Sequence, residues 1–177
     1  MPTNNKLLVV EDDPGLQDQL RWCFDRYEVI VAGDRTAAME QLRKHQPPVV
    51  TLDLGLPPDA NGISEGLATL EAIVSQRPDT KVIVVTGQND RENAVRAVGS
   101  GAYDFYHKPI DAEILGMIVN RAYRLRELEL DQRHVAVEVN LELVPRVLRA
   151  NGLDVGAGLS INPVPPEKAA RVLRGGA

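Results

Sequence analysis

The chain has 177 residues, of which 44% are hydrophobic and 25% charged, and its formal net charge is -5. These values are typical of a soluble globular protein and give no whole-chain reason to expect nucleic acid as a partner. The single cysteine, Cys23, excludes an intrachain disulfide and a cysteine-based zinc site. The sequence shows no signal peptide and no apolar run long enough to span a membrane, so a cytoplasmic protein is expected.

The first part of the chain predicts a strand over 7–10, a helix, and a second strand over 29–31. The helix has an apolar face that includes Leu20 and Phe24, with Cys23 expected as a buried thiol and Trp22 as a packing residue. Asp34 follows the second strand and is placed to cap the next helix.

The third predicted strand begins at Val49 and ends on Asp53, where the chain turns through Gly55 and two prolines. A helix through 67–74 comes next, and a fourth strand over 82–85 ends in Thr86. After a short helix, a fifth strand over 102–106 leads into His107, Lys108 and Pro109. Asp111 then opens a long helix that carries Ile114, Ile118 and Leu125.

Five repeats of strand and helix call for a parallel sheet covered by helices on both faces, an α/β fold. Ligand sites in such sheets lie at the carboxyl ends of the strands. The polar residues that follow four of the strands are therefore expected to meet at one edge. They are Glu11, Asp12, Asp53, Thr86 and Lys108.

This set of residue types indicates phosphoryl chemistry. Three carboxylates at one edge repel one another, and a Mg²⁺ ion with oxygen ligands removes that conflict. The ammonium group of Lys108 can reach a phosphoryl oxygen, and the hydroxyl of Thr86 can donate a hydrogen bond to one. With the charge neutralised, Asp53 becomes a nucleophile towards phosphorus that forms an aspartyl phosphate.

Residues 6 to about 125 resemble the receiver domain of bacterial two-component response regulators. The resemblance is carried by Leu-Val-Val-Glu-Asp-Asp-Pro, Leu-Asp-Leu-Gly-Leu-Pro, Val-Val-Thr-Gly, Gly-Ala-Tyr-Asp-Phe and Lys-Pro. It implies a doubly wound, flavodoxin-like sheet of five parallel strands in the order 2-1-3-4-5. It also implies a signalling domain, not an enzyme, whose only chemistry is its own phosphorylation and dephosphorylation.

The resemblance also implies a role for each matched residue. Asp53 would accept the phosphoryl group from a sensor histidine kinase, and Thr86 and Lys108 would contact that group. The Mg²⁺ ligands would be Asp12, Asp53 and the carbonyl of Gly55, with Glu11 acting through water. Phe105 would be the switch aromatic, turning inward as Thr86 moves towards Asp53, and the peptide bond before Pro109 would be cis.

Two departures from the family pattern stand out. Glu11 occupies a position where many members have aspartate, and the loop over 57–66 is longer than usual. This loop resembles that of sigma-54-dependent transcriptional regulators of the type linked to exopolysaccharide and surface-sorting systems. Asp13 is expected to start a helix and His107 to lie on the surface.

The end of the chain carries less information. We expect a receiver domain over 1–125, and a helical linker with a flexible tail over 126–177. A heptad seam through Ile118, Leu125, Leu128 and Val135 indicates either a coiled coil that forms a homodimer or a solvated linker helix. The chain could be a single-domain regulator, a truncated protein, or the product of a changed reading frame near Arg133.

Three other functions are alternatives to a signalling switch. The regulatory half of a transcription factor would need an output domain, and no DNA binding or membrane binding is expected of this chain. Mg²⁺-dependent phosphatases that form an aspartyl-phosphate intermediate have a site similar to this one. Such hydrolases carry a second acid two residues after the nucleophile, where this chain has Gly55. A flavodoxin-like electron carrier would need a glycine- and hydroxyl-rich phosphate loop, and acids follow the first strand instead.

Overall fold

The computed structural model describes residues 5–87 and 91–150, and the side chains of 5–87 and 92–133. The chain divides into two compact units, Met1–Asp131 and Gln132–Ala177. The first unit contains the whole sheet. The predicted tail beyond 150 and the side chain of Val135 lie outside the described residues.

Strands and helices alternate along the described chain, and the strands form one parallel sheet in the order β2-β1-β3-β4-β5. The predicted fold is confirmed, including the strand order. The elements are β1 (Lys6–Val10), α1 (Pro14–Cys23), β2 (Glu28–Ala32), α2 (Arg35–His45), β3 (Val49–Leu52), α3 (Ser64–Gln76), β4 (Lys81–Thr86), α4 (Arg91–Gly99), β5 (Asp104–His107) and α5 (Ala112–Ala150).

The sheet has a hydrophobic core on each face because successive side chains of a strand point to opposite sides. Leu8 and Val10 of β1 face a cluster that includes residues of α2, α3 and α4. Leu7 and Val9 face a second cluster that includes Leu20 of α1 and four residues of α5. Both faces of the central strands are therefore buried, which explains their continuous aliphatic runs.

Aspartates begin three of the helices. Asp13 accepts a 3.0 Å hydrogen bond from the backbone N–H of Leu16, and Asp34 accepts one of 2.8 Å from Ala37. The carboxylate of Asp111 accepts hydrogen bonds from two N–H groups in the first turn of α5. These bonds satisfy donors that have no partner inside the helix. The cap predicted for Asp34 is confirmed, as are the helix starts predicted at Asp13 and Asp111.

Trp22 contradicts the sequence prediction. Its side chain is 84% exposed, whereas Leu20 of the same helix is 2% exposed. Two residues along a helix correspond to a rotation of about 200°, so a helix that buries Leu20 turns Trp22 towards solvent. The prediction that Trp22 packs was wrong. Cys23, predicted to be buried, is only partly buried and packs at the edge of a core cluster.

The fifth strand differs from its predicted bounds, whereas the long helix predicted after Asp111 is confirmed. β5 covers 104–107 instead of 102–106, because residues 100–103 form a turn after α4 that includes Gly101 at φ 97°. α5 buries Leu115, Val119, Ala122 and Tyr123. Ile114 and Leu125, two of the apolar residues that the sequence places on this helix, are exposed by 47% and 37%.

None of the helices in the described part of the chain combines the length and apolar character that crossing a membrane requires.

Candidate functional site

The register of the sheet brings the ends of β1, β3 and β4 to one edge. Val10 lies beside Leu52, and Leu52 lies beside Val84. The ladder extends one residue further, since the N–H of Asp53 donates a 2.9 Å hydrogen bond to the carbonyl of Val10. Glu11 and Asp53, the first polar residues after β1 and β3, are consequently neighbours.

Three carboxylates meet at this edge. Glu11, Asp12 and Asp53 each offer an oxygen, and these oxygens all lie within 4.8 Å of one another. Glu11 and Asp53 are buried, whereas Asp12 is exposed. Oxygen donors at this spacing, with one side open to solvent, fit a hard divalent cation that keeps several waters. The residues present therefore suit Mg²⁺.

Lys108 joins two of the acids. It follows β5, whose ladder continues through a 2.9 Å hydrogen bond from the N–H of Lys108 to the carbonyl of Thr86. Its Nζ donates 2.8 Å hydrogen bonds to Glu11 and to Asp53. Burial works to lower the pKa of Lys108, but the hydrogen bonds and charges of the two carboxylates outweigh it and raise the pKa. The lysine is thus held as a cation.

The position of Glu11 is set by its backbone. Its N–H donates to the carbonyl of Ala32, and its own carbonyl accepts a 2.6 Å hydrogen bond from the side-chain amide of Gln17. Burial is the largest influence on the carboxyl group and raises its pKa, against the lowering effect of the hydrogen bond from Lys108. A buried acid with a raised pKa is a common feature of functional sites.

The acids line an open cavity at the carboxyl edge of the sheet. Its wall includes the first-strand acids, Asp53, Thr86 and Lys108, and it also includes residues that the sequence did not single out. Ala60 and Gly62 come from the long loop after β3, and Leu16 from α1. The long loop carries no motif that marks these positions, so only the folded chain shows that they border the cavity.

The remaining predicted residues lie close by. Thr86 is 2% exposed at the end of β4, and Gly55 donates a 3.2 Å hydrogen bond to Asp53. Phe105 is half-buried against a core cluster, and its ring meets that of His107 edge-to-face at 5.7 Å between centroids. The Lys108–Pro109 peptide bond is cis, as is Pro57–Pro58.

Residues 7–120 match the family model described as the response regulator receiver domain. The chain is 35% identical over 135 residues to the C4-dicarboxylate transport transcriptional regulatory protein DctD of Pseudomonas aeruginosa. The match covers 72% of this chain and 27% of DctD. The chain is 28% identical over 131 residues to the nitrogen assimilation regulatory protein NtrX of Azorhizobium caulinodans, covering 73% of this chain and 28% of NtrX. The chain therefore spans just over a quarter of the length of these relatives.

The fold also matches solved receiver structures. The signal receiver domain of a LuxO repressor protein from Vibrio parahaemolyticus superposes with a TM-score of 0.65 at 26% identity, covering 71% of this chain and 95% of that one. The predicted likeness to sigma-54-dependent regulators is confirmed by the relatives, while the narrower exopolysaccharide subgroup stays a prediction. The chain belongs to the response regulator receiver domain family of two-component systems.

Proposed function

We propose that Asp53 is the phosphoacceptor of this receiver. A carboxylate oxygen of Asp53 attacks the phosphorus of a phosphohistidine on a sensor kinase. The bond between phosphorus and the histidine nitrogen breaks, and its electron pair leaves with that nitrogen. The observation that carries the proposal is the convergence of Lys108 on Asp53 at 2.8 Å, beside two further acids in one open cavity.

We propose that Asp12, Asp53 and the backbone carbonyl of Gly55 hold Mg²⁺, with Glu11 acting through water. All four residues border the cavity, and the three carboxylates are close enough to share one ion. A bound Mg²⁺ ion would neutralise charge on the incoming phosphoryl oxygens. Lys108 supplies a second positive charge from the side of the cavity formed by β5, and Thr86 supplies a hydroxyl from the end of β4.

The response to phosphorylation is proposed to be a population shift between two conformations. A phosphoryl group on Asp53 would attract the Thr86 hydroxyl, and the space that it leaves would admit the ring of Phe105. Support comes from their neighbouring strands, since Thr86 ends β4 and Phe105 pairs with Val84 of the same strand. Phe105 is half-buried and packs against a core cluster, so part of its ring is still available for burial.

The surface altered by this switch is formed by α4, β5 and α5. It carries exposed apolar side chains on both helices, including Val95 and Val98 of α4. On α5, an apolar stripe is formed by Ile114, Met117, Leu125 and Leu128, which are exposed by 47%, 60%, 37% and 59%. We propose that this α5 stripe is the interface of a homodimer. It contains two residues of the heptad seam, and it lies apart from the helix face that is buried in the core.

In the cell, the chain is proposed to act in the cytoplasm as the receiver of a transcriptional response, with the receiver over 1–125 and a linker extension over 126–177. Names of relatives such as DctD and NtrX describe regulators of transcription and of nitrogen assimilation, which supports this proposal. The only chemistry proposed is phosphorylation of Asp53 and its reversal.

The test is to incubate the chain with acetyl phosphate and Mg²⁺ and to measure its intact mass. We expect addition of one phosphoryl group that is lost in Asp53→Asn and retained in the control Asp25→Asn, since Asp25 is exposed outside the cavity. Equal labelling of Asp53→Asn would remove Asp53 from this role. The position two residues after Asp53 is Gly55, which offers no acid, and this argues against a Mg²⁺-dependent phosphatase.

A further inference from the structure

The loop between β3 and α3 forms part of the wall of the acid cavity. Ala60 and Gly62 border the same cavity as Asp12 and Lys108. The loop also approaches the backbone next to the phosphoacceptor, since a Cβ added at Gly55 would lie 2.8 Å from the carbonyl oxygen of Ala60. The loop therefore forms the boundary of the cavity next to Gly55.

One carboxylate links the loop to the start of α3. Oδ2 of Asp59 accepts a 2.5 Å hydrogen bond from the hydroxyl of Ser64 and a 3.2 Å hydrogen bond from its backbone N–H. Because Ser64 is the first residue of α3, these bonds tie the loop to the start of a helix that is packed on the sheet. The two bonds also lower the pKa of Asp59, as expected for hydrogen bonds that favour the charged carboxylate.

The backbone of the loop supports the same arrangement. The N–H of Asp59 donates to the carbonyl of Leu56, and the N–H of Gly62 donates to the carbonyl of Asp59, each at 3.0 Å. A Cβ at Gly62 would overlap the carboxyl carbon and both oxygens of Asp59. Glycine at this position therefore leaves the space that the Asp59 carboxylate occupies.

We propose that Asp59 is a positioning residue of the phosphoryl site, which holds Ala60 against Gly55 and Gly62 at the wall of the cavity and thereby shields the phosphorylated Asp53 from water. The inference rests on the proposed function of Asp53. Asp59 contacts Ser64 and the loop, not the reacting atoms. Its effect is expected on the lifetime of the aspartyl phosphate, because the loop wall limits the approach of a hydrolytic water molecule.

The test compares the wild-type chain with Asp59→Asn after labelling by acetyl phosphate and Mg²⁺ and removal of the reagent. Loss of the phosphoryl group is followed by intact mass. We expect a half-life about three- to tenfold shorter in Asp59→Asn, because the neutral amide oxygen accepts weaker hydrogen bonds from Ser64 than the carboxylate does. The initial labelling rate should not change, since Asp59 has no contact with Asp53 or Lys108 among its hydrogen bonds.

Ser64 provides an independent test. Ser64→Ala removes the hydroxyl that donates to Asp59 and should also shorten the half-life, whereas Ser64→Thr keeps a hydroxyl and should restore it. The double variant Asp59→Asn with Ser64→Ala should lose its phosphoryl group no faster than Asp59→Asn alone, because the two residues act through one contact. Additive acceleration would overturn the proposed link between them.

A substitution at Gly62 tests the position of the loop and leaves the residues Asp59 and Ser64 themselves unchanged. Gly62→Ala would displace the Asp59 carboxylate and should shorten the half-life. The matched control is Gly116→Ala, where an added Cβ has nothing within 4 Å. Unchanged half-lives in Asp59→Asn and Gly62→Ala would overturn the positioning role while leaving the proposed function intact. Absence of labelling in the wild-type chain would instead contradict the proposed function itself.

Discussion

Lys108 donates a 2.8 Å hydrogen bond to Asp53, a residue 55 positions earlier in the chain. The two side chains approach each other from the ends of strands that are not adjacent, since β4 lies between β3 and β5. The stem of a lysine is long enough to cross that gap, whereas a shorter cationic side chain would not reach. The same Nζ also binds Glu11, so one cation balances the two buried acids of the cavity.

Replacing Lys108 distinguishes the effect of its ammonium group from the effect of the proposed Mg²⁺ ion. In Lys108→Ala we expect labelling by acetyl phosphate to slow by about tenfold or more, because a charge that stabilises the transferred phosphoryl group is lost. Mg²⁺ affinity should rise, since Glu11 and Asp53 would no longer share their charge with a cation at 2.8 Å. Calorimetry and the initial labelling rate measure the two effects.

Lys81→Ala is the control for that experiment. Lys81 begins β4 and its Nζ lies 2.8 Å from Glu129, so it also forms an ion pair with a carboxylate. It does not border the acid cavity. A parallel change in Mg²⁺ affinity for both lysine variants would contradict the assignment of Lys108 to the site.

The buried phenol of Tyr123 should make the free energy of unfolding depend on pH in the alkaline range. Its hydroxyl donates a 2.6 Å hydrogen bond to the carbonyl of Lys6, and burial raises the pKa of the phenol far above its ordinary value of 10.0. The folded state therefore keeps a proton that the unfolded state releases, so this contribution to stability is complete below pH 10.0 and declines as pH rises above it. Urea unfolding over alkaline pH measures the decline.

The Tyr123→Phe variant isolates that contribution. At neutral pH it should lose roughly 1 kcal/mol of unfolding free energy, the usual value of one hydrogen bond. Above pH 10.0 its stability should fall less steeply than that of the wild-type chain. Tyr27, which stacks on Tyr123 and also has a raised pKa, remains in the variant and accounts for a residual slope. Identical slopes would show that Tyr123 titrates alike in both states.

Two glycines in helices should respond oppositely to alanine. A Cβ at Gly66 of α3 would overlap the backbone of Leu54, so Gly66→Ala should cost about 1–3 kcal/mol of unfolding free energy through overpacking. A Cβ at Gly116 of α5 has nothing within 4 Å, so Gly116→Ala should add about 0.4–1 kcal/mol through a smaller entropy of the unfolded chain. Thermal and urea unfolding compare the two, and destabilisation by both would contradict the packing described for Gly116.

The α5 stripe predicts how the chain associates. Leu128, at 59% exposure, is placed to contact a second copy, and Leu128→Glu should shift the chain to a monomer because a charge would be buried at the interface. Sedimentation equilibrium over a range of concentrations measures the association. Trp22→Ala removes a more exposed apolar side chain, on α1, and should leave the association unchanged. A wild-type chain that is monomeric at every concentration would contradict the proposed homodimer.

Much of the site could be predicted because the decisive residues come directly after short apolar strands. Glu11, Asp53, Thr86 and Lys108 each follow or end a strand of a parallel sheet, and the carboxyl ends of such strands share one edge. Burial of individual helix residues was less predictable. Trp22 and Ile114 are apolar yet exposed, since helix orientation depends on which neighbouring residues fill the core.

The sequence by itself determined the alternation of strands and helices, the helix starts at Asp13 and Asp34, and the acids that meet at the sheet edge, because these follow from local patterns and from the geometry of parallel sheets. Only the tertiary structure decided that Ala60 and Gly62 border the cavity and that Asp59 accepts a hydrogen bond from Ser64 at the start of α3. The physical reason is that a loop takes its position from contacts with distant residues, and no periodic pattern in the sequence records those contacts.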